Sequence, residues 1–307
     1  MPYISFSCKL VLQALSSKRL ELSDLVGCSI IQDVGTRSRP WEIISVAHEE
    51  EGRINIKNGP RTLYSNIRNI QDWDIMVPHA KKELIEILKN LEDSIVQNKR
   101  SLIKKIVAER NIRWLYHFTR LDNVKNILMR GLVPRIPDPD FPIICTDPVR
   151  IDGRLDCVSL SISFPNDRMF YVKRKENPSS IWCVLVLNSS ILYQYSCLFF
   201  PHNAARYNNN SDRDEWRGAL ALERQFQEDQ RPKYLPACFP TDVQAEVQVE
   251  SAIPLSLTKA LYFEDENANK TFNSMKAKVP DGIRVEVNTA PFSNRDYAIE
   301  VYRSKRN

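Results

Sequence analysis

The stretch RWLYHFTRLDNVKNIL, residues 113–128, sets a histidine and a threonine two positions apart in an otherwise apolar strand. Strand side chains repeat with period two, so Trp114, Tyr116 and Phe118 share one face and Leu115, His117 and Thr119 the other. Asp122 or Asn123 can then cap a helix whose apolar positions Val124, Ile127, Leu128 and Leu132 recur at helical spacing, with Gly131 near its end. Two later stretches repeat the strand design. DCVSLSISF sends Val158, Leu160, Ile162 and Phe164 one way and Ser159, Ser161 and Ser163 the other; QAEVQVE sends Ala245, Val247 and Val249 one way and Gln244, Glu246, Gln248 and Glu250 the other. Each strand has an apolar face for a core and a second face of small or polar groups, as the floor of a polar cleft requires. A merely wet face would favour long lysines and arginines. Taken alone, Glu246 is a solvent-facing strand carboxylate and His117 a half-buried, hydrogen-bonded histidine.

The elements that must carry these strands fall into three regions. Residues 1–77 open with a short helix over Lys9–Ser16 and continue with CSIIQDV, WEIISVAHE, GRINIKN and TLYSNIRNI, short β-rich segments that suggest a small antiparallel, SH3-like β-barrel. Its loop arginines 37, 39, 53, 61 and 68 are either solvated charges or a nucleic-acid or partner surface. Residues 78–111 place Leu84, Ile87, Leu88, Leu91, Ile95, Leu102 and Ile106 on one stripe, a long amphipathic connector helix. Residues 112–307 hold the polar-faced strands, the polar loop YNNNSDRDE and the helical pattern WRGALALERQFQ.

The chain has 307 residues, 43% hydrophobic and 26% charged, enough for two domains with real cores. A net charge of +5 permits a polyanionic partner without implying one. The seven cysteines form no CxxC and no paired Cys/His spacing, which points to reduced thiols in a cytoplasmic protein and to no metal site. The start lacks a secretory signal pattern, and no run is long enough to span a bilayer, so no membrane is expected.

LYHFTRLDNVKNILMRGL, DCVSLSISFPNDRMFY, CLFFPHNAA and VQAEVQVESAIPLSLTKALYF together resemble, in order and character, the DarT family of NAD-dependent ADP-ribosyltransferases that modify nucleic-acid bases. The resemblance covers roughly residues 112–265 and can extend to the end of the chain. It implies an α+β fold with the split antiparallel sheet core of the ADP-ribosyltransferase superfamily. It also implies that His117, Thr119 and Asn123 lie against NAD, that Met169 and Tyr171 line the nicotinamide pocket, and that His202 or Asn203 stands on the substrate side. The family's catalytic arginine corresponds to Arg150 first and Arg154 second, and its catalytic glutamate to Glu246. Glu250, two steps along the same face, serves as the internal control whose replacement should matter far less.

Breaking the bond to nicotinamide develops positive charge on the ribose, which a carboxylate held beside it stabilises. An arginine grips a pyrophosphate as a bidentate fork. An attacking base nitrogen loses a proton, so an acid/base group must stand within hydrogen-bond reach. The target base has to be unstacked, which favours single-stranded DNA or RNA, held by mixed basic and aromatic stretches such as FYVKRKENPSSIW and the tail NRDYAIEVYRSKRN. The family also implies a toxin of a toxin-antitoxin or anti-phage system, with a cognate antitoxin and in some systems a chaperone as partner. Two other readings share these residues: an ADP-ribosyltransferase aimed at protein, and a nucleic-acid-binding module without chemistry.

Overall fold

The computed structural model describes residues 3–31, 41–48, 53–58, 61–70, 72–135, 152–207 and 213–304. They form two compact units, 1–98 and 99–307, each with its own sheet and core. No helix among them is long and apolar enough to cross a membrane.

The first unit comprises β1 (Tyr3–Ser7), α1 (Cys8–Ser16), β2 (Ser29–Ile31), β3 (Trp41–His48), β4 (Arg53–Asn58), β5 (Arg61–Asn66), β6 (Asp74–Pro78) and the first half of α2 (Lys82–Glu109). Its six strands pair antiparallel in the order β1-β6-β2-β3-β4-β5. β1 and β6, neighbours at one end of the sheet, add to the four β segments expected from sequence. Two of the expected loop arginines, Arg53 and Arg61, stand in strands, while Arg37 and Arg39 lie outside the described residues. Phe6, Ile30, Ile43, Ile54 and Ile75 form this unit's core with Leu10 and Val11 of α1 and with Leu84, Leu88 and Leu91 of α2. The far end of α2 sends Ile103, Ile106 and Val107 into the core of the second unit. Leu102, expected on the buried stripe, is exposed, and its neighbour Ile103 is buried instead. A periodic pattern marks a stripe but not which rim of it is covered.

The second unit continues with β7 (Trp114–Arg120), α3 (Leu121–Arg130), β8 (Val158–Ile162), α4 (Asp167–Glu176), β9 (Trp182–Asn188), α5 (Ile191–Gln194), β10 (Cys197–Phe200), α6 (Gly218–Arg224), β11 (Glu246–Val249), β12 (Thr258–Phe263), α7 (Glu266–Ser274), β13 (Arg284–Val287) and α8 (Arg295–Ser304). Its sheet runs β10-β11-β8-β7-β9-β12-β13, antiparallel except for the parallel pair β12–β13. The sheet forks in its middle. β7 pairs with β9 along its whole length, Trp114↔Asn188 to Arg120↔Trp182, but with β8 only at Leu115↔Ile162 and Tyr116↔Ser161. Beyond Tyr116 the two halves part and leave a cleft.

Register decides which side chains share a face, because directly paired residues of an antiparallel ladder point the same way. Tyr116 pairs with Ser161 and Gln248 with Ser159, so Tyr116, the serines and the Glu246–Gln248 edge share one face. His117 pairs with Leu185 and Thr119 with Cys183, on the face of the main core. The continuous polar floor expected from the three patterns is therefore corrected: His117 and Thr119 reach the cleft from one face, and Ser159, Ser161 and Glu246 from the other. Alternation gives each strand two faces; it does not say which faces are neighbours.

α3 begins at Leu121, ahead of both expected caps, Asp122 and Asn123, after an extended Arg120 that makes no side-chain cap. Asp122 in its first turn and Arg130 in its last complement the helix dipole. Gly131 ends it at φ +78, and a Cβ there would stand 2.3 Å from the Ile253 carbonyl oxygen, so only glycine fits beside the Leu132–Ile253 bridge. α4 starts on an Asn166 cap whose side chain accepts the Met169 N–H at 3.0 Å.

Candidate active site

At the fork lies a cleft of about 620 Å³, lined among others by His117, Thr119, Asn123, Ser161, Met169 and Glu246. That volume is within the range of about 300–1,000 Å³ usual for small-molecule sites. Thr119 and Asn123 are buried and tied to each other, Asn123 Nδ2 donating to Thr119 Oγ1 at 3.0 Å. They meet because Asn123 sits in the first turn of the helix that follows the strand directly.

His117 reaches across the fork, its Nδ1 2.9 Å from the Ser159 carbonyl oxygen. A carbonyl only accepts, so Nδ1 carries a proton. Tyr116, on the opposite face, packs with Phe118 against Phe170, Trp182, Val184 and Phe292. Burial, with Tyr262 and Cys238 nearby, pushes its phenol well up, so it stays neutral.

Glu246 opens β11 with both carboxylate oxygens engaged. Oε2 accepts the Ala204 backbone N–H at 3.0 Å, and Oε1 accepts from Gln248 Nε2 at 3.1 Å. Gln225 pins the strand from behind, its Nε2 donating to the carbonyls of Glu246 and Phe200 at 2.8 and 3.1 Å. His202 and Asn203 also line the cleft. His202 Nδ1 accepts the Asn203 N–H at 2.7 Å, and its Nε2 lies 3.2 Å from Gln244 Nε2 and 3.5 Å from Asp242 Oδ2. His202 and Arg206 further border a polar cavity of about 370 Å³ that continues to Arg168, Tyr207 and Asp242.

The segment leading into Glu246 has few bonds of its own, and side chains hold its carbonyls instead. Ser163 Oγ donates to Cys238 O at 2.7 Å, Arg231 to Phe239 O at 2.7 Å and also to Pro236 O, and Arg295 to Pro240 O at 2.9 Å. Ser163 adopts φ +62 to make its bond, which ends β8 there and breaks the alternation that would have continued to Phe164.

The expected arginines divide. Arg150 lies outside the described residues. Arg154 is buried, its guanidinium carbon 4.9 Å from the centre of the Phe200 ring, and its two terminal nitrogens have no hydrogen-bond partner among the described residues. Phe200 pairs with Glu246. Arg154 is not among the side chains that line the cleft.

Met169 faces the cleft, but Tyr171 does not. It is 62% exposed and borders a separate groove with Lys175 and Trp182, Lys175 Nζ lying 5.5 Å from its ring centre. Two positions on a helix differ by about 200°, so Met169 and Tyr171 cannot line one pocket from α4. The residue of that helix that joins Met169 is Lys173, four positions on. Sequence reasoning also passed over Asp152, Arg206 and Asp242; a carboxylate two residues before an arginine in RIDGR was the available signal for the first.

Glu250, chosen as the inert neighbour of Glu246, is fully engaged. Arg213 Nη1 stands 2.9 Å from its Oε1, Ser196 Oγ donates to Oε2 at 2.8 Å, and Arg217 bonds both oxygens. Arg213 also pairs with Asp156 at 2.8 Å. Among the described residues no group of three or more His, Cys, Asp or Glu side chains is placed to hold a metal ion.

Residues 116–294, more than half of the chain, match the family described as "ssDNA thymidine ADP-ribosyltransferase, DarT". No curated protein sequence matches the chain. Among solved structures it is similar to Thermosipho africanus DarTG in complex with ADP-ribose, at 16% identity over 59% of this chain and 51% of that one, with a TM-score of 0.41. It thus spans about half the length of that structure. It is also similar to Thermus sp. 2.9 DarT in complex with carba-NAD+, at 18% identity over 59% and 98% of the two chains and a TM-score of 0.39. A third, Thermus sp. 2.9 DarT in complex with ADP-ribosylated ssDNA, aligns at 15% identity over 60% and 97%, with a TM-score of 0.36. On the extent of the family match, the chain belongs to the DarT family of NAD-dependent ADP-ribosyltransferases.

Proposed function

We propose that this protein transfers ADP-ribose from NAD to a base of single-stranded DNA at the fork of its second sheet, with Glu246 as the catalytic carboxylate. The observation that carries the reading is a carboxylate fixed by two hydrogen bonds on the wall of a cleft that also presents an oriented imidazole and a buried Thr119–Asn123 pair. His117, Thr119 and Asn123 hold the dinucleotide, and Met169 closes over the nicotinamide end. Glu246 holds the ribose hydroxyls beside the carbon where positive charge develops as the bond to nicotinamide breaks and the leaving group takes the electron pair. A base nitrogen forms the new bond and gives up its proton, with His202 and Asn203 on the side from which the base enters.

Two arginines are separable by experiment. Arg150 corresponds to the family's catalytic arginine by order, and Arg154, second in that order, is buried against Phe200. We further infer a cytoplasmic toxin restrained by an antitoxin. Its 1–77 unit, an SH3-like barrel, and the 78–111 connector would serve as a handle for that partner, leaving 112–307 as the transferase domain.

The test is incubation with labelled NAD and separate pools of single-stranded DNA, RNA and protein, using wild type and Glu246→Gln. Label should enter DNA, and the variant should lose about 100-fold or more in kcat with little change in the KM for NAD. Label in protein alone sinks the nucleic-acid reading, label in RNA alone moves the substrate to mRNA, and label in none sinks the transferase.

A further inference from the structure

Gln248 is fully buried, on the same face as Glu246 and two residues beyond it. Its amide nitrogen has two protons and uses both on carboxylates: one on Glu246 Oε1 at 3.1 Å, the other on Asp152 Oδ2 at 2.5 Å. The amide oxygen is buried without a hydrogen-bond partner among the described residues. The opposite flip would turn that oxygen toward two carboxylates, so the flanking acids fix which way the amide points. Asp152 is itself buried at the cleft wall, and its Oδ1 accepts the backbone N–H of Arg154 at 3.2 Å. One buried carboxylate therefore joins the backbone at Arg154 to the strand that carries the glutamate, across 96 positions of sequence.

We propose that Asp152 and Gln248 are positioning residues for the transfer reaction: Asp152 orients the Gln248 amide, and the amide fixes the rotamer of Glu246 against the Ala204 N–H. The proposal rests on the reading of Glu246 as the catalytic carboxylate. Each acts through Glu246. Without the amide donor, the Glu246 carboxylate is held by Ala204 alone and swings about its last bond, and a displacement of about 1 Å at a reacting group is worth about 100-fold in rate.

The experiment compares wild type, Gln248→Met, Asp152→Asn and Asp152→Ala. Gln248→Met keeps the volume and removes the donor; Asp152→Asn keeps an acceptor oxygen. Transfer kinetics should show kcat down about 10- to 100-fold for Gln248→Met and Asp152→Ala, the KM for NAD within about threefold, and substantial rescue in Asp152→Asn. In parallel, carbon-13 NMR titration of the Glu246 carboxyl, assigned with Glu246→Gln, should give a higher midpoint in Gln248→Met, because a hydrogen bond to the charged form is lost. An unchanged midpoint overturns the proposal whether or not the enzyme is active. A raised KM at constant kcat overturns it too, since that would place the pair in binding. If Gln248→Met does not fold, the Asp152 variants carry the same two measurements. A wild type that labels no nucleic acid refutes the functional reading, while the titration still decides the positioning one.

Discussion

An imidazole whose Nδ1 is committed to a backbone carbonyl presents its Nε2 in one direction only. His117 is held in this way by Ser159 O, a bond that exists because β7 and β8 have already separated at that point. Its neighbour Tyr116 lies on the other face in an aromatic cluster. The two should respond differently to truncation. His117→Ala should raise the KM for NAD several-fold and leave the thermal midpoint nearly unchanged. Tyr116→Ala should lower stability by about 3 kcal/mol, the usual cost of removing a large buried side chain. Calorimetry and NAD kinetics on the two variants check this, and exchanged effects would mean that the register of β7 is wrong. Sequence alone reached this contrast because it is local: residues two apart on a strand and four apart at a strand–helix junction are fixed by period. It missed the Gln248–Asp152 contact, which no period connects, and misplaced Tyr171, where a pair two apart on a helix had been taken to share one pocket.

At the scale of elements, the end of β11 and the turn before β8 are joined by charge. Arg213 holds Asp156 below its ordinary value, chiefly through their hydrogen bond. Burial alone would raise Glu250, but hydrogen bonds from Arg217, Ser196 and Arg213 outweigh it and hold that carboxyl low as well. Folded-state values depressed below the unfolded ones mean that this stabilisation is complete above the ordinary carboxylate range. It is lost as pH falls through the depressed values, below about pH 4. The thermal midpoint of the wild type should therefore fall more steeply between about pH 5 and 2 than that of Glu250→Gln. At neutral pH Glu250→Ala should cost about 2 kcal/mol, because two arginines lose a half-buried partner. Glu250 thus keeps its use as a control for chemistry and loses it for stability. Strand existence was legible from alternation, as in VSLSI and EVQV. The fork between β7 and β8 was not, because it depends on where pairing stops, and no residue type marks that point. A second local feature carries its own test: Gly131→Ala, with no room beside Ile253 O, should destabilise by more than about 1 kcal/mol and weaken NAD use through the displaced end of α3.

For the whole molecule, α2 supplies buried side chains to both cores: Leu84, Leu88 and Leu91 to the first, Ile103, Ile106 and Val107 to the second. A fragment beginning at Lys99 keeps the second set. One beginning at Ile112 loses three apolar residues from beneath the transferase sheet, at about 1.5–3 kcal/mol for each buried side chain. The 99–307 fragment should unfold cooperatively and transfer ADP-ribose, and the 112–307 fragment should be unstable; urea unfolding of the two distinguishes them.

The aromatic cluster under α4 gives the enzyme an optical property. Trp182 is buried with its indole nitrogen unbonded among the described residues, its ring 5.5 Å from Phe170 and 6.3 Å from Phe118. Phe170 belongs to the same helix that turns Met169 and Lys173 toward the cleft. A dry indole emits at shorter wavelength than a wet one, so Trp182 is a lamp set behind the cleft wall. In a variant that keeps Trp182 alone of the five tryptophans, its colour and brightness should then report occupancy of the cleft, with no label attached and no turnover required.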